Sequence, residues 1–318
     1  MGKCCEKWFP YDKAKGISSY KGQRSPGFYM NDALKEAIYL WVKNLERDWD
    51  VVLVISGGGG VRCGKSNLAQ SIACYWSYAV LERYGVEVPF TIEDNIVFNG
   101  ADLIKKGNKL GRKHKMGVML FDEAGADLVG KKAMKKSTQA VHDYLLECGQ
   151  YRALTLLCIP EYFDLSKNVA TNRSNALLDC YVTVDKDDYW VRGQFNFYSK
   201  PQKKKLYLFG KKTGDYSAAK SDFHGRWNEF KGLDKEEYEK KKLEALLSRE
   251  ETNPRDELRW NYLKGALKIL LTDYGLTQSK VAERIGEKQG IKTNHRFIGR
   301  LLEGKDIEKE EEEEDNTE

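Results

Sequence analysis

The sequence predicts an α/β protein with a mostly parallel sheet, a β-meander at its end, and a small all-α unit behind it. Three observations predict it. Short apolar runs at 51–56, 116–121 and 153–159 are each too brief for a helix and are separated by stretches with helical spacing. That alternation is the pattern of a buried parallel sheet with helical crossovers. From Leu178 the apolar residues alternate with period two, and beyond Asn253-Pro254 the pattern is one of short helices.

Taken in order, residues 1–30 form a polar, aromatic, turn-rich extension. Asn31-Asp32 caps a helix to about Glu46, with Leu34, Ile38, Leu40, Trp41 and Leu45 at helical spacing. Val51–Ser56 is a buried strand, and Lys65–Tyr84 a helix stopped by Gly85. Asn95–Phe98 reads as a short strand. Asn99 then caps a short helix ending near Gly107, and Lys105–Lys115 reads as a basic loop. Met116–Phe121 is the second buried strand, Lys132–Glu147 a helix, and Ala153–Ile159 the third strand, closed by Pro160. Segments 178–185, 189–198 and 205–210 read as a meander, and 233–249 as a charged helix. The expected division is therefore an α/β domain at 31–230, a charged helical linker at 231–254, a helical domain at 255–304 and an acidic tail at 305–318.

The chemistry is concentrated after the first strand. Gly59-Gly60-Val61-Arg62-Cys63-Gly64-Lys65-Ser66 fits G-x-x-x-x-G-K-[ST] in full, between a strand and a helix. Glycines let bare backbone N–H groups approach phosphates at the positive end of the helix. Lys65 would reach the β- and γ-phosphates of ATP, and Ser66 would hold Mg²⁺, with Asn67 opening the helix. Asp122 and Glu123 end the second buried strand. The first acid would serve Mg²⁺ and the second would activate the attacking water. Both are expected on a strand beside the P-loop strand, at the carboxyl end where ligands bind in open α/β sheets. Hydrolysis also needs positive charge at the γ-phosphate; the candidates are Arg173, then Arg152, then Arg62, with Gln150 as a γ-phosphate sensor or a helix cap.

Composition excludes other classes. At 41% hydrophobic and 32% charged, the chain reads as a water-soluble domain protein. No stretch approaches the ~20 apolar residues of a membrane span, and a cytoplasmic protein without a membrane is expected. The seven cysteines and four histidines have no zinc spacing, so reduced core thiols are expected. Net charge is +5, but the tail Asp306–Glu318 carries −8, leaving +13 on the rest. Such a body suits an anionic polymer.

These residues resemble a family. Trp49-Asp50 before the first strand, Gly64-Lys65-Ser66-Asn67-Leu68-Ala69, Leu120-Phe121-Asp122-Glu123-Ala124, Ile159-Pro160, Phe163–Lys167, Arg173, Gly210-Lys211-Lys212, Tyr216 and Phe223–Trp227 occur in the order seen in P-loop ATPases of archaeal and bacterial mobile elements. This zonula-occludens-toxin-like group lies near the DNA-translocating class that includes FtsK and HerA, and the resemblance covers about 30–245. It implies a P-loop NTPase core, catalytic roles for Lys65, Glu123 and Arg173, a metal role for Ser66 and Asp122, and a homo-oligomer such as a hexameric ring. It also implies duplex DNA and element-encoded proteins as partners. Gly149-Gln150 stands where relatives tend to carry Arg-Gln.

The unit at 255–304 is helix-turn-helix-like. Arg259–Tyr274 is amphipathic; Thr277 caps a helix that Gly286 would end, and Thr293-Asn294 caps a last helix. Its Asn294, His295, Arg296 and Arg300 would read bases in the major groove. The link Glu287–Lys292 is longer than the usual turn, and a helical protein-binding module is the alternative. Three functions follow: an ATP-driven DNA motor, translocase or packaging ATPase; an ATP-switched DNA-binding regulator or replication, partition or transposition accessory; and, last, a P-loop kinase.

Overall fold

The first apolar run forms a strand buried along its whole length, β1 (Val51–Ser56), at the centre of the sheet. The computed structural model describes residues 29–58, 62–128, 136–250 and 254–289, with 298, 299 and 302. The chain divides into two units after Leu243.

In the first unit the elements run α1 (Asp32–Asn44), β1, α2 (Lys65–Tyr84), α3 (Ile92–Asn95), β2 (Ile96–Val97), α4 (Gly100–Lys113), β3 (Val118–Phe121), α5 (Gly125–Leu128), α6 (Lys136–Glu147) and β4 (Leu154–Cys158). They continue as β5 (Ala176–Val184), β6 (Trp190–Ser199), α7 (Lys200–Gly210), β7 (Phe223–Arg226) and α8 (Lys235–Glu250), which crosses the division. The sheet order is β2-β3-β4-β1-β5-β6-β7. Strands β2, β3, β4, β1 and β5 are parallel; β6 and β7 are antiparallel additions. The fold is thus the α/β one the sequence predicts.

Val52, Val54, Met119, Phe121 and Leu157 share one core cluster with Leu103 of α4, Val141 and Leu145 of α6 and Leu206 of α7. The alternate side chains face the other way, where α2 packs on β3 and β4 and is covered by α1. Helices on both faces explain why β1, β3 and β4 are apolar without alternation.

Three local expectations change. The helix capped by Asn99 does not stop near Gly107; it runs to Lys113, so most of 105–115 is helix rather than loop. A Cβ on Gly107 would lie 2.0 Å from the Tyr144 hydroxyl oxygen, and one on Gly111 2.2 Å from the Tyr151 ring. These glycines admit neighbouring aromatics and do not end the helix. Segment 205–210 is not a strand but the end of α7, which starts with Pro201 in its first turn and buries Lys203, Leu206 and Tyr207 at helical spacing. The third meander strand is β7 instead.

Lys203 is fully buried and donates to the carbonyls of Ala170 and Thr171, in the wide turn before β5. Burial, with repulsion from Lys200 and Lys204, lowers its pKa to about 7 from 10.5. Between those values the unfolded chain holds more protons than the folded one, so stability rises with pH there. Wild type is expected to gain on Lys203→Met by a few kcal/mol between pH 7 and pH 10. Denaturant titrations of both at several pH values check this; a pH-independent gap would refute it.

The second unit contains α9 (Pro254–Thr272) and α10 (Gln278–Gln289). Leu267, Val281, Ala282 and Ile298 form its small core, with Leu270, Leu271, Leu276, Ile285 and Leu302 against it. Thr277 caps α10 through the Lys280 amide at 3.4 Å. Gly286 lies inside α10 rather than at its exit.

Candidate nucleotide site

The site lies at the carboxyl edge of the parallel strands. Gly64 caps α2 with φ +94°, a left-handed conformation open to glycine, and Lys65 begins the helix. Twenty residues of helix point their amino end at the turn leaving β1. Arg62 is exposed, Cys63 is buried, and the Lys65 ammonium lies 3.4 Å from Cys63 Sγ. Gly59, Gly60 and Val61 lie outside the described residues.

Ser66 Oγ is 3.0 Å and 3.1 Å from the two carboxylate oxygens of Asp122 and donates to them. The expected neighbour relation of the two strands is wrong: β4 separates β1 from β3. The contact forms because α2 leaves β1 over β3 and β4, carrying Ser66 toward the end of β3. The backbone there is fixed on both sides. Asp122 N donates to Val97 O of β2, and Ala124 N donates to Cys158 O of β4, both at 2.9 Å. Glu123, between them, has φ +57°. Held left-handed, it turns away from buried Asp122 and is more exposed, 37% against 2%.

The fold is a mostly parallel α/β sheet with a glycine turn between β1 and α2. No family profile matches the chain, and no curated protein matches it. Among solved structures it is similar to the genome packaging NTPase B204 of Sulfolobus turreted icosahedral virus 2 in complex with AMPPCP. Identity is 14% over 49% of this chain and 95% of that one, with TM-score 0.33. It is also similar to the N-terminal domain of zonular occludens toxin from Neisseria meningitidis, at 13% identity over 60% of this chain and 98% of that one, TM-score 0.36. Both likenesses are distant. The strand order and the Ser66–Asp122 contact carry the chemistry of this chain.

Other site residues fall elsewhere. Asn67 spends its side chain on the chain after β7: it donates to Phe230 O at 2.9 Å and accepts from Phe230 N at 2.9 Å and from the Trp227 indole at 3.3 Å. Its side chain anchors that segment to the head of α2. Arg173 lies away from the glycine turn. It ends the wide turn before β5, at the opposite edge of the sheet, about 20 Å from the loop for six residues of strand. There it is ion-paired with Asp50 and donates to Leu145 O, which holds its guanidinium within the first unit. Arg152, at the start of β4, is likewise paired with Asp48. Asn294, His295, Arg296 and Arg300 lie outside the described residues.

Three side chains near the site carry no motif. Asp179 of β5 accepts from Ser56 Oγ at 2.7 Å, beside Gly58, and burial raises its pKa to about 6 from 3.8. Tyr238 and Lys242 of α8 reach the acids. The Tyr238 hydroxyl donates to Asp122 Oδ2, and Lys242 Nζ lies 3.5 Å from that oxygen and 2.9 Å from Glu123 Oε1. Burial alone would lower the Lys242 pKa, but the two carboxylates outweigh it and raise it. Only the i, i+4 spacing of Tyr238 and Lys242 was visible in the sequence.

A hydroxyl and a carboxylate held together at a helix N-terminus make an oxygen donor pair of the kind Mg²⁺ accepts beside phosphate. Among the described residues no cluster of three His, Cys, Asp or Glu side chains suits a metal. The described cysteines are buried and form no disulfide, and no described helix is long and apolar enough to cross a membrane.

Proposed function

We propose that this chain is a Mg²⁺-dependent ATPase acting on duplex DNA as an oligomer, a DNA motor or packaging-type ATPase of a mobile element. The observation that carries the ATPase reading is Ser66 hydrogen-bonded to Asp122 at the head of α2, with Glu123 beside it. The N-terminus of α2 and Lys65 would bind the triphosphate, and Ser66 and Asp122 would hold Mg²⁺. Bound there, the ion supplies charge that offsets the phosphates. Glu123 would take a proton from the attacking water. The DNA reading rests on the +13 body and on Asn294, His295, Arg296 and Arg300 as base-reading residues. A second reading, an ATP-switched DNA-binding regulator, is favoured by the closure of α8 over the acids.

Lys65→Ala is expected to lower ATP turnover by about 10²–10³-fold, the scale of one lost donor to transition-state charge. Steady-state assays with and without duplex DNA check it. A motor shows turnover strongly stimulated by DNA; a switch shows slow turnover with ATP-responsive DNA binding. Wild-type turnover in the Lys65 variant would reject both readings.

A further inference from the structure

The expected linker helix is part of the nucleotide site. α8 is docked at three points within the first unit. Lys241 donates to the carbonyls of Ile92 at 2.6 Å and of Glu93 and Ile96 at 3.1 Å, capping the short α3. The Tyr238 ring packs on Phe98 with centroids 5.9 Å apart, and its hydroxyl reaches Asp122. One turn on, Lys242 lies within reach of both acids.

Those contacts engage both oxygens of Asp122 and one of Glu123. Asp122 Oδ2 receives Ser66, Tyr238 and Lys242, and Oδ1 receives Ser66. Glu123 Oε1 is held by Lys242. A carboxylate engaged in this way has little left to offer the water shell of a hydrated cation, and an ammonium beside it repels a second positive charge.

Resting on the nucleotide-site reading above, we propose that Lys242, aided by Tyr238, is a positioning residue that clasps Asp122 and Glu123 and competes with the divalent cation for them. The clasp sets how much metal the site needs before nucleotide loads. It also keeps Glu123 occupied, so a water cannot be activated until Lys242 has let go. The site thereby resists turnover with partly loaded nucleotide. Lys242 acts through the acids and is not itself a phosphate ligand.

The test is a titration of the full chain with Mn²⁺ at fixed fluorescent ATP analogue, read by analogue fluorescence and by the paramagnetic resonance of free Mn²⁺. Wild type, Lys242→Met, Lys242→Arg and Tyr238→Phe are compared. Removing the charge should lower the half-saturating Mn²⁺ by about tenfold, the scale of one nearby screened charge. Lys242→Arg should keep the wild-type demand, and Tyr238→Phe should lower it by less. An unchanged or higher demand in Lys242→Met, with Tyr238→Phe unchanged as well, overturns the clasp. So does weaker nucleotide binding at saturating metal, which would put Lys242 on the phosphates. Lys65→Ala separates the underlying reading: if it binds analogue as wild type does, the nucleotide site itself is misplaced and the clasp falls with it.

Discussion

Glu123→Gln is expected to retain Mg²⁺–ATP while slowing its hydrolysis by about 10²–10⁴-fold, the contribution of a positioned general base. The geometry separates the two functions. Asp122 is buried and tied to Ser66, so in the proposed reading it would serve the bound ion and nucleotide. Glu123 has a left-handed backbone, is more exposed than Asp122 and is paired with Lys242. Glutamine keeps size and polarity, so the backbone bridges from Val97 and Cys158 should survive. Single-turnover hydrolysis and equilibrium nucleotide binding, measured on the same preparation, check the separation. If turnover persisted, water activation would belong to another group. If binding were lost instead, Glu123 would be part of the metal site. Glutamine also weakens the hold of Lys242, so the variant should load nucleotide at lower metal concentration than wild type does.

The parallel core was legible because its signals are local and strong. A fully apolar strand, a glycine loop with lysine and serine, and an acid pair after a second apolar strand fixed what each segment is. What they could not fix is which strands are neighbours. β4 lies between β1 and β3, and its sequence, Leu154–Cys158, is as apolar as theirs. Nothing in three similar buried runs ranks them across a sheet. Glycines misled for a related reason. Gly107 read as the end of a helix and 105–115 as a loop, yet the missing side chains of Gly107 and Gly111 make room for Tyr144 and Tyr151, which lie more than thirty residues on. Segment 205–210 was misread because Leu206 and Leu208 alternate as well as lie on a helix; burial selects Lys203, Leu206 and Tyr207. The charged helix α8 carried a further difficulty. Lysine and glutamate runs read as solvated faces, and only the tertiary placement of Tyr238 and Lys242 on Asp122 and Glu123 reveals two residues with another use.

Arg173 allows the sharpest choice between a mechanical and a catalytic role. A guanidinium acting on a neighbouring subunit's nucleotide must project from the surface. Here the Arg173 and Asp50 side chains are 12% and 16% exposed and face each other, with Leu145 O and Cys148 Sγ completing the surroundings. Asp50 immediately precedes β1, and Arg173 closes the turn that leads into β5, so the pair pins the starts of two central strands together. Beside it, Val52 N donates to the Asn175 side chain at 2.8 Å, a second tie between the same strands. Removing one partner leaves the other charge buried, and Arg173→Met is expected to cost about 3–5 kcal/mol. In a unit of this size that corresponds to a fall in Tm of roughly 6–20 °C. Replacing both partners by apolar residues should recover much of the loss, since the remaining charge is then gone. Thermal unfolding of the two single variants and the double variant measures the coupling. A catalytic arginine predicts the reverse: Tm unchanged, turnover lost in the single variant, no rescue by changing Asp50, and restored turnover when the variant is mixed with subunits that lack Lys65 but keep Arg173. The buried pair at the far edge of the sheet favours the first outcome.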